Sequence, residues 1–225
     1  MDNKEPFVFQ TERRLVMLTG RSARNLKEML EHIREVSGSS IFYHTHHQYL
    51  SHHFEKPVFH NDFANWVSTS LLEEALSEKL VAIDLLAFSS IRQLREAIVK
   101  TFETYLAEIN WRIRDCLPGD GFHFCESKSF IMPSGVVAYD IPDFFAKLPR
   151  VTNASLYFHF FESRLRLEQP TNDFSAWLSY RGAGELAEAI DRLNPYLVTM
   201  EELREEIIML GKSEEQIHGG HVTGL

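Results

Sequence analysis

The chain has 225 residues, of which 44% are hydrophobic and 17 are Phe, with two Cys and a formal net charge of −9. That is enough apolar material for one large core or two small ones, and too much for a disordered chain. The acidic balance, with no block of Lys and Arg, argues against a nucleic-acid or anionic-membrane surface, and no apolar run approaches the roughly 20 residues of a membrane helix.

The start, MDNKEPFVFQ, lacks the basic and apolar regions of a secretion signal. Cys116 and Cys125 form no disulfide framework. A cytoplasmic protein with two free thiols is expected. The string FVF has strand character, and a second extended stretch ends near Gly20, so a short hairpin is expected first. In SARNLKEMLEHIREV, Leu26, Met29, Leu30 and Ile33 recur at helical spacing, with Ser22 or Asn25 as cap. SGSS then starts a helix over Ser40–His53, and Asn61-Asp62 starts a third. Glu73–Ile83 reads as a fourth. Ser90 with Gln93 forms a capping box for a long last helix, IRQLREAIVKTFETYLAEINWRI.

The junction INWRIRDCLPGDG is turn-rich at Pro118, Gly119 and Gly121. After it the same order recurs. FHF opens a second expected hairpin ending near Gly135. In IPDFFAKLPRV, Pro142 suits a first helical turn and Pro149 ends the helix early. Helices are expected over Ser155–Leu165, from Asn172-Asp173, over Gly184–Leu193, and from the Thr199/Glu202 box. The tail KSEEQIHGGHVTGL is polar and contains glycine, and 213–225 is expected to be disordered.

This recurrence can be read residue by residue. At an offset of 115, Phe9 meets Phe124, Gly20 meets Gly135, Ala23 meets Ala138, Val36 meets Val151, His44 meets His159 and Leu50 meets Leu165. After a four-residue deletion, NDFANWV meets NDFSAWL, and Arg95 later meets Arg204. The expected fold class is therefore mainly α, or α+β with short hairpins. It is a tandem duplication of a hairpin-plus-helices unit of about 100 residues, related by a pseudo-twofold. The expected units are residues 6–115 and 121–212.

Six of the eleven histidines fall between Tyr43 and Asp62. His44 and His47 share a helix face, and the second copy places His159 and Glu162 at the same spacing. Imidazole and carboxylate three apart on a helix suit zinc or iron, and Asp62 or Asp173 can complete such a set. Against this, one such pair is two ligands only, and neither HExxH nor CxxC is present. A half-buried neutral His bonded to a backbone carbonyl is the simpler account. His46 meets Phe161, which marks a buried position. His52, His53 and His60 are expected in or near a solvated loop. In NDFxxW, Asn61-Asp62 and Asn172-Asp173 read as caps, with Phe63/Trp66 and Phe174/Trp177 as core. The rival is a carboxylate beside the histidine helix acting as base or ligand, which requires His44 to meet Asp62 or His159 to meet Asp173. No phosphate-binding loop, nucleophile elbow or catalytic-thiol motif is present, and Arg164 with Arg166 reads as a solvated edge.

The strings YHTHHQYL…NDFANWV…EEALSEKL and FHFFESRL…NDFSAWL…GELAEAI resemble a two-copy bacterial and archaeal family of unknown function, over nearly all of residues 6–210. The resemblance implies no catalytic residue. It implies a loose tie to sugar-transferase neighbours, and so to carbohydrate metabolism. The leading expectation is a non-catalytic binding or regulatory protein with a protein partner and no cofactor. The alternatives are a metal-dependent, hydrolase-like enzyme using the His44/His47 or His159/Glu162 face, and an acidic small-molecule sensor.

Overall fold

A computed structural model describes residues 5–51, 59, 61–110, 112–163 and 171–219. The order is β1 (Phe7–Ala23), α1 (Leu26–Glu35), α2 (Gly38–Ser51), α3 (Asp62–Thr69), α4 (Glu74–Val81), α5 (Ile91–Glu108) and β2 (Phe122–Ala138). Then follow α6 (Ile141–Lys147), α7 (Asn153–Tyr157) running into a π-helical turn (Phe158–Glu162), α8 (Asp173–Arg181), α9 (Gly184–Asp191) and α10 (Met200–Gly219). No described helix is long and apolar enough to cross a membrane. The α+β class is as expected.

The two short hairpins are replaced by two strands of 17 residues, each unbroken, which pair with one another in an antiparallel, two-stranded sheet. The segment between Phe9 and Gly20, QTERRLVMLT, holds no Gly, Pro or Asn to turn the chain. Gly20 and Gly135 lie inside the strands at φ +78° and +81°, where they bend the ribbon instead of reversing it.

The helix starts form as their local chemistry dictates. Asn25, Asn61, Asp140, Thr152 and Asn172 each accept a hydrogen bond from the N–H three residues on. Thr199 and Glu202 make the reciprocal pair, at 3.2 and 2.7 Å. Pro149 turns the end of α6 into a 3-10 turn, Leu148–Arg150. The expected disordered tail is corrected in part. Residues 213–219 continue α10, because KSEEQI supplies helix formers and no breaker, and Ser213 Oγ donates to Met209 O at 3.0 Å. Residues 220–225 lie outside the described residues, as does Leu165 at the end of its expected helix.

The compact units do not follow chain order. One comprises residues 14–52 and 57–129; the other comprises 1–13, 53–56 and 130–225. Each strand thus contributes to both, changing unit at residues 13/14 in β1 and 129/130 in β2. In the first unit, Leu26, Met29, Leu30 and Ile33 of α1, Phe63 and Trp66 of α3, Ile98 and Phe102 of α5, and Phe122 and Phe124 of β2 are buried together. In the second, Phe7 and Phe9 of β1 are buried against Phe144 and Phe174, with ring centroids 5.4–6.2 Å apart, and Phe7 also meets Trp177 at 5.6 Å. Aromatic pairs at these spacings add to the area they bury.

Candidate functional site

His44 stands on α2, and Asp62 opens α3, where the Asn61 cap fixes the helix start. Their side chains meet at 2.8 Å, His44 Nδ1 to Asp62 Oδ2. An ionised carboxylate only accepts, so the imidazole proton sits on Nδ1. The lone pair on Nε2 then accepts the backbone N–H of Cys125 in β2, at 2.8 Å. The ring is 3% exposed and is packed by Phe63, Phe122 and Phe124. Burial pushes its pKa below the ordinary histidine value, with Asp62 pulling the other way.

The second unit contains the same arrangement. His159, in the π-helical turn, meets Asp173 at 2.8 Å through Nδ1, and its Nε2 accepts the N–H of Gln10 in β1 at 2.7 Å. Ser155 Oγ donates to the carbonyl of Gln10. Each imidazole therefore couples a helix-opening aspartate to a strand amide. That amide, on a half-buried strand residue, would otherwise lack its acceptor.

The sequence brought the right residues together and misread the bond. His44 meets Asp62 and His159 meets Asp173, as the rival reading required. The ring partners are a carboxylate and a backbone N–H, where a backbone carbonyl was expected. Neither ring offers a lone pair to a metal or a substrate proton. His47 lies 3.5 Å from Asp62, but its Nδ1 bonds Tyr43 O at 2.8 Å and its ring stacks on Tyr43. Glu162 is half-buried at the end of the π turn. Among the described residues, no group of three or more His, Cys, Asp or Glu is arranged to hold a metal ion. His46 is fully buried beside Thr45 Oγ1 at 2.6 Å, and burial pushes it down to about 3. His52, His53, His60, Arg164 and Arg166 lie outside the described residues.

Sequence reasoning missed Cys125 and Gln10 as partners, because only their main chains take part. The one signal was that they meet at the 115 offset. Burial, then Asp62, raises the Cys125 thiol, so it stays protonated and is no activated nucleophile.

A family of unknown function, DUF5752, matches residues 4–212. No curated protein matches the chain. Among solved structures the chain is similar to OrfY from Thermoproteus tenax, at 26% identity and a TM-score of 0.81, over 93% of this chain and 95% of that one.

Proposed function

The chain belongs to the DUF5752 family, and we propose that it is a non-catalytic binding or regulatory protein that engages a protein partner through β2. The supporting observation is the run Phe130, Ile131 and Met132, exposed by 57, 49 and 38%. Successive strand residues point to opposite faces, so both faces carry apolar surface there. Strand β2 has β1 as its one strand neighbour among the described residues. Apolar side chains beside an edge of this kind suit an extended segment of a partner, added as a further strand. The use of His44 and His159 as strand fasteners favours binding over catalysis. A role in carbohydrate metabolism, implied by the family resemblance, belongs to the same proposal.

We also read the chain as a tandem duplication of one unit carrying the NDFxxW motif. Three matched bonds support this. The histidine arrangement recurs in both units. Trp66 Nε1 donates to Asp120 O and Trp177 Nε1 to Glu5 O, at 2.6 and 3.0 Å, and those carbonyls are 115 positions apart. Arg95 donates to Val36 O as Arg204 does to Val151 O.

The test places a photo-reactive residue at position 131 of the full chain in its native cells. One recurring protein adduct is expected, and it should be lost when Phe130 and Met132 become Ser. If position 131 yields only what a control at exposed Glu188 yields, the reading fails.

A further inference from the structure

A cavity of about 610 Å³ lies within the unit formed by residues 14–52 and 57–129. It falls in the size range of small-molecule sites, roughly 300–1,000 Å³. Its wall is the junction before β2, fastened at two points. Cys116 N donates to Arg24 O at 2.7 Å, and Asn25 Nδ2 donates to Asp115 Oδ1 at 2.7 Å. The turn Leu117–Asp120 closes one side, its N–H to carbonyl bond being 3.0 Å. Gly119 supplies the φ of +98° that the third position of such a turn requires.

Two opposite charges line this cavity without pairing with each other. Arg24 donates to Glu28 through its backbone N–H at 2.9 Å and through Nη2 at 3.3 Å, which leaves the rest of a guanidinium whose side chain is 66% exposed. Asp115 Oδ2 has no hydrogen bond among the described residues, and neither has the Ser22 hydroxyl or the His123 ring. Leu117, 71% exposed, and Pro118 supply an apolar wall. A phosphate-like dianion would meet Asp115, and a polyamine would meet Arg24. A ligand with one carboxylate and one ammonium matches both.

We propose that this cavity binds a small zwitterion of the α-amino-acid class, its carboxylate on Arg24, its ammonium on Asp115 and an aliphatic side chain on Leu117 and Pro118. The polar set is not a demand of the fold. At the 115 offset Arg24 stands over Tyr139, Ser22 over Val137 and His123 over Val8, whereas His44 and Asp62 have counterparts. Burial, with Asp120 and Asp115, raises the Cys116 thiol, so it is no activated nucleophile. This site adds a small-molecule input to a protein-binding chain, and the exposed run Phe130–Met132 takes no part in its test.

Isotope-labelled full-length protein is titrated with L-leucine to about 10 mM, enough to saturate a Kd of about 1 mM. The amide signals of Cys116, Gly119 and Gly121 should shift together. 4-Methylpentanoate, which lacks the ammonium, and 3-methylbutylamine, which lacks the carboxylate, should bind at least about tenfold more weakly, as should leucine to Arg24→Gln and Asp115→Asn. His123→Ala keeps both charges and should keep selectivity for leucine over the two analogues. Silent amides overturn the proposal. So does equal binding of the two analogues, or a shift of the same amides by sorbitol and not by leucine.

Discussion

Replacing His44 with Ala tests whether the imidazole is a structural fastener. The ring is packed by Phe63, Phe122 and Phe124 at centroid distances of 5.5, 4.7 and 5.9 Å, so its removal leaves a void in a close-packed region. A void somewhat smaller than that of a Phe→Ala change costs about 2–3 kcal/mol. The Cys125 N–H loses its acceptor, which costs about 1–3 kcal/mol. Asp62, with a side chain 19% exposed, can rehydrate and adds little. The sum is about 4 kcal/mol, or a fall in Tm of about 8–16 °C for a chain of this size. The effect also depends on pH. The folded pKa of His44 lies below its value of 6.5 in the unfolded chain, so the unfolded state binds more protons between the two. The stability contributed by His44 is fully present above 6.5 and is lost as pH falls toward the folded pKa. The gap between wild type and variant should therefore be widest at about pH 8 and narrower at about pH 5. Guanidinium unfolding followed by Trp fluorescence measures both. A gap below about 1 kcal/mol, or one that widens in acid, would refute the fastener.

The buried His46 gives a second pH test. His46→Phe, the residue at the matching position 161, should change stability by under about 1.5 kcal/mol at pH 8. Because the folded pKa is pushed down to about 3, wild type should lose about 1.4 kcal/mol relative to the variant for each pH unit below 6.5. Arg204→Lys should cost about 2 kcal/mol in urea unfolding, since an ammonium cannot reach the carbonyls of Leu148 and Val151 and the Asn153 side chain together. Chelator treatment of untagged protein should leave Tm unchanged, with metal analysis at background. Near-stoichiometric zinc or iron would instead restore the hydrolase reading of His44, His47 and Asp62.

Features set by contacts three or four residues away were legible in the sequence. Asn25, Asn61, Asn172 and Thr199 cap helices because their side chains reach an N–H within one turn. Pro149 ended its helix for an equally local reason. The strands were misread because the partner of β1 lies more than a hundred residues away, and alternation along ten residues says nothing about where pairing occurs. The candidate site was half legible. Histidine and aspartate recur in both halves of the sequence, and that recurrence pointed to a shared task. The amides of Cys125 and Gln10, which decide what the task is, belong to the main chain and leave no mark on residue type. Arg24 and Asp115 drew no attention, because a cavity closed by a turn has no sequence spacing.

The division of each strand between two compact units sets a timetable for synthesis. Phe7 and Phe9 emerge first, yet the core that receives them includes Ile207 of α10. At ordinary elongation rates those 200 residues take about 10–40 s to follow. The helices of the earlier unit in turn wait for Phe122 and Phe124. The N-terminal half is not finished when it leaves the ribosome, so a nascent chain halted before position 122 carries two unmet obligations at once. One is a pair of Phe side chains with nowhere to go; the other is a helical cluster missing its own pair.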